Sequence, residues 1–67
     1  MIVVLSQDGR RLQHITEVTI KNANEIWVYP GPNRAATYPS VTRCVEVIEE
    51  IRQTVTQGIR TYEMKAE

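Results

Sequence analysis

The chain has 67 residues, with eight basic and eight acidic side chains that give a formal net charge of zero at pH 7. This length predicts a single domain with a small core, and the balanced charge argues against the basic excess typical of nucleic-acid-binding domains. One cysteine and one histidine exclude an internal disulfide and an ordinary four-ligand zinc site.

The first third of the chain predicts strands separated by tight turns. Residues 1–5 are a continuous apolar run that is typical of a buried strand. Residues 6–9 end in Asp-Gly, which is a strong hairpin signal. Residues 10–14 and 15–20 should continue as strands, and 22–24 should form a turn, because asparagine tolerates positive φ.

Residues 25–29 are the strand richest in apolar and aromatic side chains. Alternation places Ile26 and Val28 on one face and Trp27 and Tyr29 on the other. One face should meet a helix, whereas the other has no obvious cover in a chain of this length. A proline-rich loop and a short returning strand should follow before the helix.

Residues 40–57 predict one amphipathic helix. Ser40 can cap its N-terminus, and Gly58 suits a left-handed C-terminal cap. Val47 lies at the edge of the apolar stripe, so it either widens the buried face or contacts a partner chain. The stripe itself, at helical spacing, consists of Val41, Cys44, Val45, Ile48, Ile51 and Val55.

The last predicted strand covers residues 59–65, and it is the best candidate to lie beside the first strand. Together the elements predict an α+β fold. It consists of an antiparallel β-meander of about five strands, one amphipathic helix packed on one face, and a C-terminal strand.

Three segments also form a pattern: the turn Ser6-Gln7-Asp8-Gly9, the helix start Tyr38-Pro39-Ser40 followed by Arg43-Cys44-Val45-Glu46-Val47-Ile48, and the final Tyr62-Glu63-Met64. This pattern resembles a group of short uncharacterised proteins from Gram-positive bacteria and their prophages. The resemblance implies a strand meander, a serine-capped helix and a Tyr-x-Met strand. It also implies a phage or mobile-element context. It implies no activity, because the motifs are structural.

Trp27, Tyr29 and Tyr62 are the aromatic candidates for an interface, and we add Val47 from the helix. Strand aromatics are most often core or half-buried sheet surface. The two-faced strand nevertheless leaves Trp27 and Tyr29 without predicted cover, and exposed Trp and Tyr are enriched in protein interfaces.

Arg10, Arg11, Arg34 and Arg60 could hold single-stranded nucleic acid together with these aromatics. The plainer interpretation is that they are solvated charges that keep strand edges from aggregating. The net charge of zero favours the plainer interpretation.

His14 and Cys44 are the remaining candidates for chemistry. A general base needs a nucleophile within reach, and the sequence places none near His14, so a half-exposed strand histidine is the plainer account. Cys44 falls on the apolar helix face, where cysteine acts as a small hydrophobe. We expect no catalytic, metal or cofactor site.

These features predict a non-enzymatic interaction module. We expect it to form a homo-oligomer, with a dimer as the first expectation, and to dock an unknown protein partner. Small domains without disulfides or metals commonly gain stability by self-association. The alternative is an accessory single-stranded nucleic-acid-binding protein. An unpaired cysteine fits a reducing compartment, and no segment approaches the ~20 apolar residues of a membrane-spanning helix. We therefore expect a cytoplasmic protein without a membrane partner.

Overall fold

The computed structural model describes residues 2–66. Its strands are β1 (Ile2–Leu5), β2 (Leu12–Ile15), β3 (Glu17–Lys21), β4 (Glu25–Tyr29) and β5 (Asn33–Thr37), followed by the helix α1 (Val41–Thr56) and the strand β6 (Thr61–Glu63). The order of elements confirms the predicted α+β fold of meander, helix and C-terminal strand.

The strands form two three-stranded sheets, the first ordered β2-β1-β6 and the second β3-β4-β5. The meander strands pair antiparallel, whereas β6 lies parallel to β1 with Tyr62 opposite Val4. The prediction that the first and last strands are adjacent in a sheet is therefore confirmed. The chain passes between the sheets at Thr16, whose N–H donates to the carbonyl oxygen of Tyr29 at 2.8 Å.

Two tight turns set two of the three antiparallel hairpins, and both lie where the sequence predicts them. In the first, Gly9 has φ +73° and its N–H donates to the carbonyl oxygen of Ser6 at 2.9 Å. In the second, Asn22 and Ala23 have φ of 55° and 66°. Two consecutive positive φ angles are the requirement of a type I′ hairpin turn, in which glycine normally takes the second position.

β5 contains a bulge that the sequence did not predict. Arg34 lies opposite Trp27 and Ala36 lies opposite Ile26, so Ala35 is an extra residue on this strand. Ala35 and Ala36 are both buried, although neighbours on a regular strand point to opposite faces. The bulge thus turns two consecutive side chains into the core.

Gln7 forms hydrogen bonds along the outer edge of β5. Its side-chain amide donates to the carbonyl oxygens of Thr37 at 3.0 Å and Lys65 at 3.1 Å, and its Oε1 accepts the N–H of Thr37 at 3.0 Å. Its backbone N–H donates to the carbonyl oxygen of Ala35 at 2.8 Å. One residue of the first turn therefore covers a strand edge that would otherwise be open.

The core lies between the two sheets and α1. Its buried apolar residues are Ile2, Val4 and Ile15 from the first sheet, Ile26, Val28, Ala35 and Ala36 from the second, Cys44, Val47 and Ile51 from α1, and Tyr38 and Met64 from the connecting segments. Ile26 and Val28 thus take the inward face of β4, as predicted.

α1 begins and ends as predicted. The Oγ of Ser40 accepts the N–H of Arg43 at 3.2 Å, and Gly58, with φ +81°, follows the C-terminal cap residue Gln57. Both capping signals are local, so the ends of the helix can be predicted without the rest of the fold.

The buried face of α1 is rotated from the predicted stripe. Val47 is 1% exposed and lies in the core with Cys44, so it widens the buried face, and the alternative assignment to an interface is wrong. Val41, Val45 and Val55 are 48%, 54% and 49% exposed, so their prediction as core residues is also wrong. The apolar pattern of this helix is wider than the sheets can cover, and the strands cover the side centred on Val47.

Candidate interaction surfaces

The outer face of the second sheet carries a cluster of one cation and two aromatic rings. Trp27 and Tyr29 are half-buried and point away from the core. The Nζ of Lys21, on the neighbouring strand β3, lies 4.9 Å from the centroid of the Trp27 ring and 5.7 Å from that of Tyr29. Such cation–π contacts contribute about 0.5–1 kcal/mol at exposed sites. We call Lys21, Trp27 and Tyr29 the aromatic face.

Glu25 and Arg34 border the aromatic face, and Glu25 holds the indole ring by a hydrogen bond. The Glu25 carboxylate accepts the side-chain amide of Asn22 at 2.7 Å and the indole N–H of Trp27 at 3.1 Å, and it lies 3.4 Å from the Arg34 guanidinium. The bonds from Asn22 and then Trp27 are the main causes that lower the pKa of Glu25. The ring is therefore preorganised, which reduces the entropy lost when a partner binds.

Tyr62 does not belong to this surface. It projects from β6 toward the core, and its hydroxyl donates to the Glu50 carboxylate on α1 at 2.7 Å. Burial first, and the neighbouring carboxylate second, raise the pKa of the Tyr62 phenol. Tyr62 joins the last strand to the helix.

A second uncovered surface runs along α1. Val41, Val45 and Val55 are each about half exposed, and half-buried Ile48 falls in the same row at helical spacing. We call these four residues the helix flank. Exposed Arg52 lies in the same row between Ile48 and Val55, so the helix flank is an apolar group of Val41, Val45 and Ile48 with Val55 set apart from it. Exposed apolar side chains grouped in this way are candidates for a binding surface.

An apolar groove of about 230 Å³ lies between β3 and the C-terminal end of the helix flank, at Val55. It is lined by Ile51 and Val55 on α1, by Ile15 on β2 and by Val18 on β3. Val18 and Ile20 are half-buried at the margin of the core. The apolar surface therefore continues from the helix to the strand.

The four arginines proposed for nucleic-acid contact lie in three segments. Arg10 and Arg11 follow the first turn, Arg34 is on β5, and Arg60 precedes β6. Arg60 lines a groove of about 500 Å³ with His14 on the first sheet. Of the four, Arg34 borders the aromatic face, since it lies opposite Trp27 in the sheet.

His14 and Cys44 differ sharply in exposure. His14 is exposed on β2, and Cys44 is completely buried on α1, where desolvation raises the pKa of its thiol. A thiol in such a place is a poor nucleophile. Across residues 2–66, no three or more His, Cys, Asp and Glu side chains gather where they could hold a metal ion. No helix in the same range has the length and apolar character to cross a membrane.

Lys21 and the helix flank were not predicted as site residues. A signal for Lys21 existed, because alternation along the hairpin of β3 and β4 places Lys21 on the same face as Trp27. No comparable signal existed for the helix flank, because core and flank residues follow the same helical period.

Comparison of the chain with protein families, with curated proteins and with solved structures found no match. Function is therefore inferred from the surfaces themselves.

Proposed function

We propose that this protein is a non-enzymatic interaction module that self-associates as a dimer and docks a protein partner. The helix flank is the observation that carries this proposal, since its three valines are about half exposed and one of them, Val55, lines an apolar groove. A chain of 67 residues has a small core, and covering this surface with a second copy adds to it.

The aromatic face supports docking of a separate protein partner. Trp and Tyr are frequent hot-spot residues in interfaces, and here Lys21 and Glu25 hold Trp27 in place. The exposed cations Lys21 and Arg34 are complementary to a segment with acidic and apolar side chains. Self-association through the helix flank leaves the rings of Trp27 and Tyr29 free.

Light scattering from micromolar to millimolar concentration tests the self-association. Wild type should be dimeric at the upper concentrations, and Val45→Lys should be monomeric with an unchanged far-ultraviolet circular dichroism spectrum. Lysine at position 45 lies four residues before Glu49, so the helix itself is retained.

Gln53→Lys is the matched control, because it makes the same charge change on the exposed side of α1 away from the helix flank. It should remain dimeric. A wild type that stays monomeric over the whole range would contradict the proposal.

Binding of single-stranded nucleic acid to the aromatic face is the second candidate function. Lys21 and Arg34 flank Trp27, and stacking of a base on an aromatic side chain contributes about 1–3 kcal/mol. Trp27 is the single tryptophan, so its fluorescence reports on this surface directly. Titration with an oligonucleotide should quench it at low salt and not at high salt. An unchanged signal at low salt ends this candidate.

The phage or mobile-element context and the cytoplasmic location stay predictions from the sequence. The first is tested by whether the coding sequence lies among phage genes, and the second by cell fractionation.

A further inference from the structure

β3 presents an open strand edge beside the helix flank. Within residues 2–66, β3 pairs with β4 on one side and with no strand on the other. Alternate N–H and C=O groups of such an edge point outward and can pair with another chain. The opposite edge of the same sheet differs, because the side chain of Gln7 bonds to the backbone of Thr37 there.

The sequence of β3, Glu-Val-Thr-Ile-Lys, is complementary to itself in an antiparallel pair. When the pair is centred on Thr19, Glu17 of each copy lies opposite Lys21 of the other, and Val18 lies opposite Ile20. Opposite charges that face each other across strands contribute about 0.2–1 kcal/mol per pair. A pair centred on Glu17 or on Lys21 would instead place like charges opposite each other. Among the registers centred on a residue of β3, only the one centred on Thr19 places opposite charges opposite each other.

The same pairing brings two helix flanks together. The two-fold axis of an antiparallel pair centred on Thr19 runs through the sheet, so α1 of both copies lies on one face of the joined sheet. Val18 and Ile20 point to that face, and α1 contacts β3 and β4 there as well as β6 of the first sheet. Strands lie about 4.8 Å apart and packed helices about 8–10 Å apart. If the axis of each helix lies midway over β3 and β4, the two helices are about 10 Å apart across the axis, at the upper end of that range.

We propose that β3 is the dimerisation strand. Two copies join Glu17–Lys21 antiparallel about Thr19, which merges two three-stranded sheets into one of six strands and buries the helix flanks against each other. This inference rests on the proposed self-association and specifies its surface. The two aromatic faces then lie side by side on the other side of the joined sheet, where one partner can contact both.

Thr19→Cys tests the axis directly. Residues opposite each other in an antiparallel pair have Cα atoms about 4.5–5.5 Å apart, which is within the range of a disulfide. Mild oxidation should convert most of this variant into a covalent dimer. Wild type, whose Cys44 is buried, should not cross-link. Thr61→Cys, an exposed position on β6, should not cross-link efficiently either.

Charge reversal tests the register. Glu17→Lys alone or Lys21→Glu alone places like charges opposite each other at both symmetry-related pairs and should weaken dimerisation about tenfold. The double variant restores opposite charges and should bring the dissociation constant back to within about threefold of wild type. Glu63→Lys, an exposed change on β6, controls for net charge and should leave association unchanged.

Hydrogen exchange of the wild-type protein gives a measurement without any substitution. The outward-pointing amides of β3 should exchange more slowly at concentrations that favour the dimer, and unchanged exchange there overturns the proposal. A wild-type dimer in which Thr19→Cys does not cross-link also overturns it, while self-association stands. A monomeric wild type overturns both.

Discussion

Ala23 occupies a left-handed backbone conformation, with φ 66°, that glycine adopts without strain. That conformation costs a residue with a Cβ about 1–2 kcal/mol, and Asn-Gly is the preferred pair for a type I′ turn. Ala23→Gly should therefore raise the free energy of unfolding by about 1 kcal/mol, as measured by urea denaturation. Ala66→Gly, an exposed position after β6, should have little effect. A less stable Ala23→Gly variant would contradict the left-handed backbone conformation at position 23.

Val45 and Val47 are the same residue type with opposite exposure, 54% and 1%. Val47→Ala removes fully buried methyl groups and should lower the free energy of unfolding by about 1.5–3 kcal/mol. Val45→Ala should change the stability of the monomer by less than about 0.5 kcal/mol. Urea denaturation at high dilution measures both. Equal losses would contradict the rotation of α1 described above.

For individual residues, the sequence predicted the position of a side chain where a local signal exists, and it failed where no such signal exists. Ser40 and Gly58 mark the ends of the helix through capping, and Trp27 and Tyr29 are placed by strand alternation. Val47 was misplaced because both the predicted stripe and the observed face repeat at helical spacing. The contacts between the helix and the strands, and not the helical period, decide which of the two faces is buried.

Tyr62 and Glu50 connect two elements, β6 and α1, through a bond of 2.7 Å. The pKa of Tyr62 is raised above its ordinary value of 10.0, so the folded state holds the phenolic proton more tightly than the unfolded state. This contribution to stability is complete below about pH 10 and is lost as the pH rises through the raised pKa.

Tyr62→Phe should therefore lose less stability than wild type between about pH 8 and about pH 11. Urea denaturation at the two pH values measures the difference. Tyr29→Phe, on the aromatic face, is the matched control and should follow wild type. A Tyr62→Phe variant with the same alkaline loss as wild type would mean that this phenol does not couple to folding.

The elements were predictable in type and order, and their assembly was predictable only in part. The sequence predicted that the first and last strands are neighbours, and β1 and β6 do pair. The change of sheet at Thr16 was not predicted, because no glycine or proline interrupts residues 10–21. The bulge at Ala35 had no signal in the sequence either, and the contact made there, from the Gln7 N–H to the Ala35 carbonyl oxygen, joins residues far apart in the chain. Strand alternation is enough to place Lys21 on the aromatic face. The exposure of the helix flank can be found only from the packed structure.

For the molecule as a whole, folding and association should be coupled. A dimer that forms only from folded chains is stabilised by mass action, so the melting temperature should rise with protein concentration. Differential scanning calorimetry over a hundredfold range of concentration measures this, with Val45→Lys as the control whose melting temperature stays constant. A wild-type melting temperature that is independent of concentration would contradict dimerisation.

The parallel pairing of β6 with β1 has a consequence for the order of folding. The three antiparallel pairings join strands that are close in sequence, whereas Val3 faces Thr61 across almost the whole chain. Long-range closure costs more entropy than local closure, and it is the slower step. We expect the hairpins to form early and β6 to dock late, so that substitutions in β6 mainly accelerate unfolding. During synthesis, one edge of β1 stays open until residues 61–63 leave the ribosome.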